Sequence, residues 1–112
     1  MTIFQKIIDG QIPAKVVFED ELSIAFHDVA PQAPIHILVI PKRAIRGISG
    51  VCEADKELLG HLLWVASVVA TQQGFSADGY RLVINDGRDG GQSVPHLHVH
   101  LLAGRAMNWP PG

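Results

Sequence analysis

The chain is most constrained by one nine-residue run, Val94-Pro95-His96-Leu97-His98-Val99-His100-Leu101-Leu102, in which three of its six histidines alternate with apolar residues. A β-strand turns successive side chains to opposite faces. The alternation therefore predicts a strand with Leu97, Val99 and Leu101 packed on one side and His96, His98 and His100 gathered on the other. Rings two residues apart on such a face are roughly 6.6 to 7 Å apart along the backbone, close enough to touch or share a ligand. Three imidazoles on one half-buried face are a costly way to build a core, because each buried ring nitrogen needs a partner. Two chemistries suit the pattern: a metal site, since imidazole is a common zinc ligand, or a nucleophilic imidazole oriented by its neighbours.

The rest of the chain supplies the frame. At 112 residues, 47% hydrophobic and 18% charged, it fits one globular domain over residues 1–112. Nine Lys and Arg against eleven Asp and Glu leave a formal net charge of -2. That balance gives no electrostatic reason to bind nucleic acid polymers or acidic membranes, and it leaves a small phosphate ligand open. The single cysteine, Cys52, cannot form an internal disulfide or a CxxC motif and reads as a small apolar filler. No basic region followed by an apolar run and a cleavage site opens the chain, and no apolar stretch reaches about 18 residues, so the expected location is the cytoplasm.

Ile3, Phe4, Ile7 and Ile8 recur at helical spacing ahead of Gly10 and predict a short helix. Lys15–Glu19 and Leu22–His27 read as two strands around the acidic turn Glu19-Asp20-Glu21. In the second of these, Leu22, Ile24 and Phe26 share a face, and Asp28 reaches the same side where the strand ends. Ile35–Ile40, β-branched and stopped by Pro41, reads as a central strand with His36, Leu38 and Ile40 on one face. His36 then stands beside the triad if the two strands are neighbours. Pro41-Lys42-Arg43 reads as a solvated strand end.

From Glu53 to Gln73 the period becomes helical, with Leu58, Leu62, Val65, Ala66 and Val69 on one stripe, acidic residues at the start and Gly74 at the end. Leu59, Leu63, Trp64, Val68 and Ala70 broaden the apolar surface, which implies either a deeper core or a partner subunit. Tyr80–Asn85 alternates as a further strand, with Arg81, Val83 and Asn85 on one side. The polar loop Asp86–Ser93 then leads into the histidines. Gly90 and Gly91 leave backbone amides open to an anion and Ser93 adds a hydroxyl, but no Lys-Ser/Thr follows, so this is not a P-loop.

The run His96–Leu102 resembles the His-x-His-x-His-x-x signature of the histidine triad superfamily. Phe26-His27-Asp28-Val29, Pro31-Gln32-Ala33-Pro34, His36 ahead of Ile37–Lys42, Gly91-Gln92-Ser93-Val94 and the terminal Trp109-Pro110-Pro111-Gly112 resemble its Hint branch, the histidine triad nucleotide-binding proteins. The likeness covers nearly the whole chain; Ala44 departs from it, standing where many members carry a histidine. The resemblance implies an α+β fold, a five-stranded antiparallel sheet with one long and one short helix, paired as a homodimer. It also implies hydrolysis of purine nucleoside phosphoramidates such as AMP joined to an amine. Carried over by position, His98 is the nucleophile, with His96, His100, His36 and Ser93 completing the catalytic set. Asp28 meets the ribose hydroxyls. Asn85, Gly91, Gln92, Ser93 and His100 hold the phosphate and leaving group, and Phe4, Ile7, Phe26, Val29 and Leu38 line the purine slot. No metal or cofactor is implied, and Trp109 is expected near the partner's site.

The chemistry is sound on its own terms. An imidazole with a reference pKa of about 6.5 is largely neutral yet nucleophilic near pH 7, and a nucleotidyl-histidine divides one hard displacement into two easier ones. The alternatives are a dinucleoside polyphosphate hydrolase, a zinc-binding module using His36, His96 and His98 or His100, and a nucleotide-sensing interaction module.

Overall fold

The computed structural model describes residues 1–112 and begins with the short helix, α1 (Ile3–Ile8). Thr2 caps it by accepting the Gln5 N–H on its hydroxyl at 3.1 Å. Gly10, at φ 72°, takes the left-handed turn that leads the chain away. Then come β1 (Val16–Glu19), β2 (Ser23–His27), β3 (Ile35–Pro41), α2 (Lys56–Gln72), β4 (Arg81–Val83) and β5 (Val99–Ala103). The strands form one antiparallel sheet in the order β1-β2-β3-β5-β4. The fold class is the α+β arrangement expected, and no helix is long and apolar enough to cross a membrane.

Side-chain alternation divides the sheet into two faces. Ala25, Ile37, Val39, Val99, Leu101 and Ala103 pack under α2, against Leu62, Val65, Ala66, Val69 and Ala70. Burying one such aliphatic side chain contributes about 1.5–3 kcal/mol, which makes this layer the main source of stability. On the opposite face Ile24, Phe26, Leu38 and Ile40 form a smaller layer closed by Phe4 of α1. The histidines lie on this second, thinly covered side.

Several boundaries differ from expectation, each for a local reason. The histidine strand begins at Val99 instead of Val94. Pro95 has no N–H to give a ladder, the His96 N–H turns back to the Val94 carbonyl at 2.8 Å, and the Leu97 N–H goes to the Ile45 carbonyl at 2.7 Å. The long helix is preceded by a 3-10 turn over Glu53–Asp55. Its broad apolar surface is partly core and partly open, with Leu63 44% and Trp64 56% exposed. Cys52 is exposed and fills nothing. The Lys42-Arg43 strand end is tied down by ion pairs, Lys42 with Glu19 at 2.8 Å and Arg43 with Asp55.

Between β1 and β2 no Asn-Gly turn is needed, because Asp20 builds the connection itself. Its Oδ1 accepts the N–H groups of Leu22 and Ser23 at 2.9 and 2.7 Å and the Ser23 hydroxyl at 2.9 Å. Its Oδ2 meets Nε2 of His61 on α2 at 2.7 Å.

Candidate active site

The pairing of β3 with β5 sets Leu38 opposite His100, and β4 sets Val83 opposite it from the other side. His100 is therefore held in the middle of the sheet. Its ring lies 4.8 Å from that of His98 and 5.1 Å from that of His36, centre to centre. Phe4 reaches down from α1 and meets His98 edge-on at 5.1 Å and His96 at 6.1 Å. His96 and His98 are joined through the main chain, since the His96 carbonyl accepts from His98 Nδ1 at 2.7 Å.

The hydrogen bonds settle which nitrogen of each ring carries its proton. A carbonyl only accepts, so His98 bears a hydrogen on Nδ1, and in the neutral ring the lone pair is on Nε2. His96 likewise donates Nε2–H to the Pro41 carbonyl at 2.8 Å. An N–H only donates, so the Gln32 N–H, 3.0 Å from His36 Nδ1, leaves the His36 proton on Nε2. That Nε2–H donates to Nδ1 of His100 at 2.9 Å, and His100 is left with Nε2–H as its free donor. The site thus holds a lone pair on His98 beside a donor on His100.

Burial favours the neutral form of His36, His96 and His100. It pushes His100 down to about 4, helped by the neighbouring His98 and His36 and opposed by Asp28. His36 is lowered by burial against the pull of the Asp28 carboxylate, and His96 is lowered by burial against the Pro41 carbonyl. Asp28 is fixed by its own loop: Oδ1 accepts the Ala30 N–H at 2.8 Å, and Oδ2 lies 3.5 Å from His36 Nε2.

A cavity of about 330 Å³ opens over this face. Phe4, Ile7, Phe26, Val29 and Leu38 line it, with His27, Asp28, Ser93, His98 and His100 as its polar members. Ile3, Ile12, Pro13, Ala14 and Val94 also line it; neither they nor His27 were among the site residues expected from the sequence. A second hollow shares Asp28 and Val29 and runs on to Lys15 and His36. His96 lies behind the cavity as a buried support, and Asn85 stands two residues past β4, outside the lining.

The glycine-rich loop is built differently from a bare amide cradle. The Gly91 N–H bonds to the Arg88 carbonyl at 3.1 Å and the Gln92 N–H to the Gly87 carbonyl at 3.0 Å. The Gln92 side chain is also engaged, accepting the Gly87 N–H at 2.9 Å and donating to the carbonyls of Arg46 and Val94 at 2.7 and 3.0 Å. Gly91 and Gln92 shape the loop, and Ser93 is the loop residue that reaches the cavity.

A model of the HIT domain matches residues 9–107. The chain belongs to this family. It is 60% identical over 114 residues to the 14 kDa zinc-binding protein of Zea mays, covering 99% of this chain and 88% of that one. It is 56% identical over 111 residues to an uncharacterized HIT-like protein of Synechococcus elongatus, covering 99% and 96%. Among solved structures, the HIT family hydrolase from Legionella pneumophila Philadelphia 1 superposes over the whole of both chains with a TM-score of 0.97 at 52% identity. A histidine triad protein from Clostridium difficile gives 0.92 at 40% identity, over 95% of this chain and 92% of that one. With hydrolases of the HIT family as its structural neighbours, the triad face is the candidate hydrolytic site of this HIT protein.

Proposed function

We propose that this HIT protein is a Hint-type nucleoside phosphoramidase that hydrolyses purine nucleoside phosphoramidates. The observation that carries the reading is the His98–His96 hydrogen bond, which assigns the lone pair of the neutral His98 ring to Nε2, at an apolar slot containing one carboxylate and one hydroxyl. His98 Nε2 attacks the α-phosphorus, the phosphorus–nitrogen bond breaks, and the amine departs with a proton taken from solvent. Water then attacks the same phosphorus and returns a proton to solvent, the bond to His98 breaks, and the nucleoside monophosphate is released. His100 Nε2–H and Ser93 stabilise the phosphoryl oxygens through both steps. Asp28 takes the ribose hydroxyls, and the apolar wall around Phe4, Phe26 and Leu38 takes the base.

A panel of adenosine and guanosine phosphoramidates set against diadenosine polyphosphates tests this. Preferred cleavage of the phosphoramidates is the expected result. Preferred cleavage of the polyphosphates would reassign the substrate.

A zinc reading has support in the name of the maize relative and in a cluster other than the expected His36, His96 and His98 or His100: the ligand atoms of Asp28, His36 and His100 lie within 4.8 Å of one another, whereas His96 Nε2 is engaged by the Pro41 carbonyl. Protonation weighs against it. A metal-bound histidine ordinarily donates its second N–H to an acceptor, whereas a backbone donor occupies His36 Nδ1 and leaves the proton on the nitrogen that would face the ion. Elemental analysis of the purified protein decides, and stoichiometric zinc at the triad would favour the metal module.

We also propose a homodimer, supported by the exposed Leu63 and Trp64 on α2 and the 81% exposed Trp109. Trp109 lies 6.0 Å from the Arg81 guanidinium of its own chain, and Arg81 donates to the Asn108 carbonyl at 2.8 Å, so the tail is held beside the outer strand β4. Sedimentation tests the dimer; a fully active monomer at micromolar concentration would refute it.

A further inference from the structure

The donor state of His100 depends on a peptide segment and on a side chain more than sixty residues away from His36, Arg105. Gln32 lies in the exposed loop between β2 and β3 and is held from both sides. Its N–H donates to His36 Nδ1 at 3.0 Å, and its carbonyl accepts from Arg105 Nη2 at 3.1 Å. The other arm of the same guanidinium, Nη1, donates to the Ala106 carbonyl at 3.2 Å. Gly104 allows the close approach this needs, because a Cβ there would stand 2.8 Å from Cβ of Pro34. One exposed cation just beyond β5 thereby seats the loop that faces His36.

A neutral imidazole has two tautomers of similar intrinsic energy, and the hydrogen bond at one nitrogen decides which is present. With the Gln32 N–H against Nδ1, His36 holds its proton on Nε2 and donates to His100. If that N–H swings away, the proton is free to sit on Nδ1. His36 Nε2 then becomes an acceptor, His100 Nδ1 becomes the donor, and His100 Nε2 offers a lone pair to the cavity instead of a hydrogen. The whole relay reverses polarity. Asp28 Oδ2 favours the same His36 tautomer as Gln32 does, but at 3.5 Å it is too distant for a good hydrogen bond.

We propose that Arg105 is a positioning residue: by holding Gln32 in place it fixes the tautomers of His36 and His100, so that His100 presents Nε2–H to the substrate's phosphoryl oxygens. The effect on turnover rests on the phosphoramidase reading; the tautomer assignment does not.

The test uses the full chain labelled with 15N-histidine, with ring tautomers read from two-bond proton–nitrogen spectra at neutral pH. Wild-type protein is expected to show His36 and His100 as neutral Nε2–H rings. Arg105→Ala is expected to move both toward mixed tautomers and to lower kcat on an adenosine phosphoramidate by about 10- to 100-fold, less than or equal to the loss of a whole oxyanion donor, with KM within about twofold. Arg105→Lys, which keeps one donor, is expected to recover most of both. An ester in place of the Gln32 amide, made by ligation, removes the N–H directly and should shift the tautomers at least as far. Unchanged tautomers in Arg105→Ala, or in the ester, overturn the proposal. Shifted tautomers in a protein whose wild type cleaves no phosphoramidate uphold the positioning role and overturn the function proposed above.

Discussion

His98 donates its Nδ1–H to the carbonyl of His96, two residues earlier in the chain, across 2.7 Å. The ring that offers the lone pair is thus hydrogen-bonded by the peptide backbone and not by another side chain, with Phe4 and His100 packed against it. His98→Ala and His98→Asn should lose several orders of magnitude in kcat while still binding AMP through Asp28 and Ser93. Rapid-quench mass spectrometry should place the nucleotidyl adduct on residue 98. An adduct on His96 or His100, or near-normal turnover in His98→Ala, would show the assignment to be wrong.

His96 is a different kind of triad member. It is 2% exposed, packs against Phe4, and donates to the Pro41 carbonyl. His96→Ala leaves a void and an unpaired buried carbonyl, so a loss of about 2–4 kcal/mol in unfolding free energy is expected, with a smaller fall in kcat than in His98→Ala. Denaturant titration checks the first and steady-state kinetics the second; an unchanged midpoint would contradict the supporting role.

Acid should destabilise the fold. The three rings His36, His96 and His100 are held neutral by burial, so their folded pKa values lie below the unfolded value of 6.5, and His100 falls to about 4. Below pH 6.5 the unfolded chain binds protons that the folded chain refuses, and stability is lost as pH falls. His100 alone accounts for a loss on the order of 3 kcal/mol between pH 6.5 and 4. Denaturant midpoints across that window should fall monotonically with acid, and His100→Gln should flatten the slope.

Two glycines of the loop separate steric from conformational demand. A Cβ on Gly90 would run into the Asp86 carbonyl, whereas Gly87, at φ 69°, has open space around it. Gly90→Ala should shift the loop, carry Ser93 out of the cavity and weaken AMP binding measurably by calorimetry, with the circular dichroism of the fold retained. Gly87→Ala should cost only the roughly 1–2 kcal/mol of a left-handed residue. Equal effects from the two would refute this distinction.

Alternation alone located most of the site. The parity of β2, β3 and β5 put Phe26, His36, Leu38 and His100 on one face, because strand geometry leaves a side chain only two directions. What depends on hydrogen bonding was not legible in the same way. Gln92 looks like a ligand contact in sequence, yet its amide is engaged inside the loop. Gln32 acts through its main chain, which its side-chain type does not reveal, and Arg105 acts on that main chain from the far end of β5. Asp20 and His61, forty-one residues apart, carry no local signal that they meet. Pro95 did carry one, since it removes the N–H that a strand starting at Val94 would need.

The two faces of the sheet are covered by helices of very unequal length, seventeen residues in α2 and six in α1. A helix of six residues does not persist by itself in water, where isolated helices shorter than about 12–15 residues are marginal. α1 stays wound because Phe4 and Ile7 are seated on the sheet, and these same side chains form one wall of the cavity. A bound base therefore shares its contacts with the residues that keep α1 folded, and occupancy should slow hydrogen exchange at Ile7 and Ile8 far more than in α2. If the proposed nucleotide occupies this pocket, its departure is coupled to fraying of the wall, and the first turn and a half of the chain then sets the time of turnover.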